Sequence, residues 1–121
     1  MGLTYVDGVV SGPSGESRSV HFLVDSGAKY SLLPFDDWRA IGLTPKRRLT
    51  FVLADGTQIE RDVSECHLRM PLGDGHTPVV LGEPGDDQAL LGVVTLEILG
   101  FVLNPFNRTL QPGRMLLTQL A

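Results

Sequence analysis

The sequence predicts an all-β fold with one or two short helices, and three observations carry that prediction. Fourteen glycines and eight prolines divide the 121 residues into short runs, which favours short strands over long helices. Some of these runs alternate with a period of two: Val20, Phe22 and Val24 interleave with Ser19, His21 and Leu23, the pattern of a strand with one buried face. Turn signals such as Gly12-Pro13-Ser14-Gly15 and Asp55-Gly56 fall between successive runs, as hairpins require. A chain of this length accommodates one domain, residues 1–121, with little room for a second.

Residues 4–10 and 18–24 form the first predicted hairpin, whose second strand ends directly at Asp25-Ser26-Gly27. An apolar strand resumes at Leu32-Leu33-Pro34, and a short helix follows. Pro34 suits its first turn, and Asp36 and Asp37 suit the positive end of its dipole. Phe35, Trp38 and Ile41 form a stripe for burial, and Gly42 is the stop. Residues 49–53 and 57–63 form a second hairpin around Ala54-Asp55-Gly56. Further strands are expected over 66–72 and 77–82, turning at Gly73-Asp74-Gly75, followed by a surface loop from Gly82 to Asp87. Ala89-Leu90-Leu91-Gly92 reads as a short buried strand. Val94 to Leu99 reads as a short helix closed by Gly100. Phe101-Val102-Leu103 and Thr109-Leu110 flank a turn at Asn104-Pro105. Met115-Leu116-Leu117 is an apolar candidate for an edge or interface strand.

The formal net charge is −4, which supplies no general attraction to nucleic acid or to an anionic membrane. The basic cluster Lys46-Arg47-Arg48 is explained by the solvated start of a strand. A lone Cys66 forms no intrachain disulfide, and no Cys/His set has metal-ligand spacing, so neither a metal nor another cofactor is expected. The thiol has no neighbouring base and is expected to be buried and inert. His21, His67 and His76 read as ordinary strand or loop histidines, and Asp86-Asp87 as a solvated loop. Without a signal-peptide pattern or an apolar run of about 18 residues, the expected location is the cytoplasm, away from membranes.

The chemistry concentrates in Phe22-Leu23-Val24-Asp25-Ser26-Gly27-Ala28. An apolar strand delivers a carboxylate, then a small hydroxyl residue, then a glycine that lets the backbone turn closely. Asp-Ser-Gly alone is usually a turn, but a simple exposed turn needs no such apolar flanks. Two carboxylates brought together in such surroundings share one proton, because both cannot ionise cheaply. One then accepts a proton from water while the other donates one to a carbonyl oxygen.

Val24-Asp25-Ser26-Gly27-Ala28, followed by Ser31-Leu32-Leu33-Pro34, resembles the active-site segment of the retropepsin-like aspartic proteases. Leu53-Ala54-Asp55-Gly56-Thr57 occupies the place of that family's flap. Leu90-Leu91-Gly92, with the helix through Leu96 to Leu99 and Gly100, is similar to its late apolar-apolar-Gly motif, as found in small prokaryotic members. The resemblance covers about residues 4 to 112 and implies a closed, barrel-like lobe. It implies Asp25 as the catalytic acid, with Ser26 bridging to a partner subunit beneath the carboxylates. Gly27 and Ala28 would shape the loop and touch substrate, while Leu91 and Gly92 would pack beneath it. Ala54, Asp55 and Gly56 would form the flap tip, where Asp55 departs from the glycine and apolar residues of retroviral flaps.

A single Asp-Ser-Gly in a one-lobe chain implies a homodimer, with Asp25 facing its own copy across a twofold axis. The implied function is metal-free hydrolysis of an extended polypeptide, with a bell-shaped pH profile on the acid side of neutrality. Two other readings compete: a catalytically silent module of the same fold that binds peptide or dimerises, and an unrelated small β-barrel.

Overall fold

A computed structural model describes residues 3–113. Among the described residues, nine strands and two short helices follow one another: β1 Thr4–Ser11, β2 Ser17–Val24, β3 Ser31–Leu33, α1 Phe35–Ala40, β4 Arg47–Val52, β5 Gln58–Met70, β6 Gly73–Leu81, β7 Leu90–Leu91, α2 Val93–Leu99, β8 Phe101–Asn104 and β9 Thr109–Pro112. The all-β expectation holds. Met115-Leu116-Leu117 lies outside the described residues.

Six strands close into a ring in the order β1-β2-β7-β3-β6-β5, and a β1–β5 pairing (Val9↔Arg69 to Ser11↔His67) completes the circuit. The β1–β2 ladder runs from Thr4↔Val24 to Ser11↔Ser17. This register turns Val10, Val20, Phe22 and Val24 inward, where they pack with Leu33, Leu68, Leu91 and Phe101. The alternation read at Val20, Phe22 and Val24 is therefore the inward face of the barrel. Pro78, opposite Glu65 on β5, lies one residue before β6 gains its second neighbour, β3, at Val79, so it sits where the strand is still at a sheet edge on one side.

β5 differs from the expected division. Residues 57–63 and 66–72 are not two strands but parts of one 13-residue strand. Its outer half pairs with β4, Arg47↔Val63 to Val52↔Gln58. Its inner half pairs with β6, Val63↔Val80 to Met70↔Gly73. Burial changes phase at the junction: Ser64, Cys66, Leu68 and Met70 are buried in the inner half, whereas the more sheltered side of the outer half carries Ile59 and Arg61. Strict alternation means that opposite faces of one strand are covered at its two ends. The turn that follows also moves, to Pro71-Leu72, with proline in the second position of the turn. Gly73, Asp74 and Gly75 lie within β6.

The stripe expected on α1 is only partly buried, because Phe35 and Trp38 are half-buried and no residue within the helix is fully covered. Ile41 at its end is fully buried, Phe35 and Trp38 meet edge to face, and the Trp38 indole N–H donates to the Gly82 carbonyl at 2.8 Å. α2 ends at Gly100, whose φ of 77° is the left-handed conformation that suits a glycine cap. β8 and β9 form a separate two-stranded sheet. No helix among the described residues is long and apolar enough to cross a membrane.

Phe22 is 1% exposed at the centre of this core. Phe22→Ala is expected to lower stability by about 3–5 kcal/mol, read as a reduced midpoint in urea denaturation.

Candidate active site

β7 consists of two residues and joins two strands, β2 and β3. Leu23 and Val24 pair with Leu90 and Leu91 in parallel, and Leu32 pairs with Leu90 antiparallel. The Leu23 N–H donates to the Ala89 carbonyl (2.9 Å) and the Asp25 N–H to the Leu91 carbonyl (3.0 Å). The segment 25–30 then leaves the barrel wall as a loop. Within it, the Ala28 N–H donates to the Asp25 carbonyl (3.1 Å), and the Gly27 N–H donates to the Asp25 Oδ1 (2.9 Å). Two N–H groups at the start of α2, those of Val93 and Val94, donate to the carbonyls of Ala28 and Lys29, both at 2.9 Å. The loop is thus held at both ends by main chain.

Gly92 lies directly beneath it. A Cβ at this position would fall 2.5 Å from the Tyr30 carbonyl carbon and 2.8 Å from the Lys29 oxygen. Only a residue without a side chain allows that approach.

A line of buried hydroxyls runs away from Gly92. Its N–H donates to the Ser31 Oγ (3.0 Å), Ser31 meets Thr95, Thr95 meets Thr77 (2.7 Å), and the Thr77 hydroxyl donates to the Pro78 carbonyl (3.2 Å). Each hydroxyl has one proton to give. Because Thr77 gives its proton to a carbonyl, Thr95 donates to Thr77 and Ser31 donates to Thr95. The order is one-way and satisfies every member. No buried side-chain polar atom lacks a partner among the described residues.

Asp25, Gly27, Ala28 and Tyr30 border a cleft of about 820 Å³. The hairpin of β4 and β5 supplies another side through Phe51, Val52, Leu53, Ala54 and Ile59, and the Gly85–Gln88 segment supplies a third. Leu32, Val80 and Leu90 add apolar lining. Tyr30 and Phe51 meet edge to face at 5.7 Å, bringing the Asp25 loop and the hairpin together. Among the residues singled out from the sequence, Asp25, Gly27, Ala28 and Ala54 border the cleft, and Leu91 and Gly92 lie under the loop. Ser26 is exposed and does not border it.

Asp55 and Gly56 lie at the hairpin tip, outside the cleft lining. The Asp55 carboxylate is occupied in the turn. It accepts the Thr57 N–H at 2.9 Å, while the Gly56 N–H donates to the Leu53 carbonyl and Gly56 adopts φ 87°. Hydrogen bonds from Thr57, side chain and backbone, hold the Asp55 carboxyl below the usual value. The charge that departs from the family pattern is therefore a turn-closing acceptor.

Arg61 and Asp86 also line the cleft; nothing in the sequence singles out Arg61, and Asp86 reads there as part of a solvated loop. Arg61 Nε donates to Asp86 Oδ2 at 3.0 Å. Burial pushes the Asp86 carboxyl upward. The hydrogen bond from Arg61, the Glu83 amide and the Arg61 charge outweigh it and hold the group below the ordinary value of 3.8. The Asp-Asp pair is thus not simply a solvated loop, because its first member is bonded across the cleft. No sequence signal pairs residues 25 positions apart.

Elsewhere, Lys46 and Arg48 pair with Glu65 and Asp62 across β4 and β5. His21 and His67 bond to Asp7 and Asp74. Cys66 is buried, and that burial pushes its thiol up to about 12, which removes it as a nucleophile at neutral pH. No group of three or more potential metal ligands occurs among the described residues.

A closed six-stranded lobe, with an apolar strand delivering an Asp-Ser-Gly loop beside a cleft walled on one side by a hairpin, defines the architecture of an aspartic-protease lobe. Comparison with family models agrees: residues 14–97 match the family described as "gag-polyprotein putative aspartyl protease", and the chain belongs to this retropepsin-like family. That membership removes the unrelated β-barrel from consideration. No match was found among curated protein sequences.

Two outcomes follow from this geometry. Thr95→Val leaves the hydroxyls of Ser31 and Thr77 without their shared partner and is expected to cost about 1–3 kcal/mol, with Thr95→Ser close to the unsubstituted chain in urea denaturation. Asp86 has a depressed carboxyl, so its stabilisation is fully present above the unfolded value and is lost as pH falls through the folded one. The stability difference between the unsubstituted chain and Asp86→Asn is therefore expected to stay constant through neutral and mildly acid pH. It should close only below the ordinary carboxylate range, in denaturation curves recorded across pH.

Proposed function

We propose that the protein is an aspartic endopeptidase, active as a homodimer, in which Asp25 of each subunit supplies one carboxylate. The observation that carries this reading is the placement of Asp25 on a backbone-fixed loop at the edge of a cleft of about 820 Å³, in a chain of an aspartyl-protease family. Each chain offers one Asp-Ser-Gly, and water activation between carboxylates needs two. An isologous twofold contact generates such a pair from one sequence.

In the proposed reaction, the unprotonated carboxylate accepts a proton from water as the water oxygen bonds to the scissile carbonyl carbon. The protonated carboxyl gives its proton to the carbonyl oxygen. Collapse of the tetrahedral adduct breaks the C–N bond as the carboxyl that took the water proton passes it to the leaving nitrogen, and the other carboxylate recovers a proton from a hydroxyl of the adduct. Ser26 bridges to the partner subunit beneath the pair, Gly27 and Ala28 contact the substrate backbone, and the hairpin tip at Ala54, Asp55 and Gly56 covers it. Val52 and Leu53 are apolar and exposed on that hairpin, which suits contact with an extended polypeptide. The reaction draws on no metal or cofactor, nucleic acid and membrane are not partners, and the proposed setting is the cytoplasm.

Digestion of a diverse peptide mixture from about pH 3 to about pH 8, read by mass spectrometry, tests the proposal. Cleavage is expected on the acid side of neutrality and is expected to fall roughly 10²–10⁴-fold in Asp25→Asn. Cleavage that survives this substitution would overturn the assignment of Asp25. A chain that dimerises and binds peptides without cutting them would instead be the silent module of the same fold.

A further inference from the structure

Arg61 and Asp86 join the β4–β5 hairpin to the loop that precedes β7. Arg61 lies on the cleft-facing side of β5, in the half whose ladder partner is β4 alone, and it is outside the core cluster. Its Nε donates to Asp86 Oδ2 at 3.0 Å and its Nη2 approaches Oδ1 at 3.5 Å. Its Nη1 donates to the Glu60 carbonyl at 2.9 Å and lies 3.8 Å from the Glu83 carboxylate. Such a fork uses the planar geometry of a guanidinium, which an ammonium cannot reproduce.

Asp86 is equally committed. The same Oδ2 accepts the Glu83 N–H at 2.9 Å, and the Asp86 N–H donates to the Glu83 carbonyl at 2.8 Å. The 83–86 turn therefore closes around this carboxylate. Four residues later the chain becomes β7, whose Leu91 carbonyl holds the Asp25 N–H. A continuous line thus runs from the hairpin strand through Arg61 and Asp86 into the strand that supports Asp25. The side chains are 17% and 30% exposed, and Leu32, Ile59, Val80 and Leu90 line the same cleft. Solvent and salt screen such a pair less than a surface one.

Resting on the protease reading above, we propose that Arg61 and Asp86 are a positioning pair that latches the β4–β5 hairpin to the loop preceding β7 and so sets the width of the substrate cleft. The pair acts on binding rather than on the chemical step. With the latch closed, the two walls are already placed for an extended peptide. With it open, binding must order them, and that cost appears in KM.

The test uses the full chain as Arg61→Met, Asp86→Asn and the double variant, with two readouts. In the absence of peptide, amide hydrogen exchange is expected to rise about tenfold or more in residues 50–61 and 83–88 of each variant, with the barrel strands β1, β2 and β3 unchanged. In peptide cleavage, KM is expected to rise roughly tenfold with kcat within about twofold, and the double variant is expected to match either single one, as for two residues acting as a unit. Unchanged exchange in both segments, a rise spread evenly over the barrel, additive effects in the double variant, or a fall in kcat at constant KM would each overturn the latch. If the unsubstituted chain cuts no peptide, the protease reading fails on its own account, and the exchange pattern still decides whether the two walls are latched.

Discussion

The arrangement depends on one crowded seam, where the two residues of β7 pass between β2 and β3 and Gly92 presses against the backbone of Lys29 and Tyr30. A strand of two residues has almost no ladder of its own. It is held by the complete burial of Leu91, by parallel and antiparallel neighbours at once, and by the hydroxyl line that begins at the Gly92 N–H. Asp25 takes its position from this seam through main-chain bonds, which are shorter and stiffer levers than side chains. Segments distant in sequence, 23–25, 28–32 and 89–95, therefore set the place of one carboxylate.

The β4–β5 hairpin obeys a different rule. It stands off the ring, each of its strands has one ladder partner over most of its length, and many of its side chains are exposed. Its attachments to the rest of the molecule include the Tyr30–Phe51 contact and the Arg61–Asp86 pair. Local opening free energies follow the number of buried contacts, so the hairpin sits at the low end of the molecule's stability and the seam at the high end.

Much of this was legible in the sequence. The hairpin of β1 and β2, the stripe on α1, the short β7 and the Gly100 cap all follow from local patterns, because each is decided by residues within one turn or one strand. The order of the Asp25 loop, the hairpin and the Leu91-Gly92 segment carried the family resemblance. What stayed hidden was non-local. β5 read as two strands because its buried face changes sides near Val63 and Ser64, and periodicity within a window cannot represent a strand covered on opposite faces at its two ends. Ser31, Thr77 and Thr95 are unremarkable singly and acquire meaning only when topology stacks them. Asp86 looked solvated because its partner arrives from another hairpin.

The change of face along β5 also separates two kinds of inheritance. Ser64, Cys66, Leu68 and Met70 are bound to the barrel interior, where alteration of volume is felt throughout the packed core. Ile59 and Arg61 lie on the opposite face of the same strand and border the cleft, outside the packed core. One continuous segment thus carries a conservative half and an adaptable half. Substitution at one end of β5 is free to reshape the cleft wall while the other end keeps the fold.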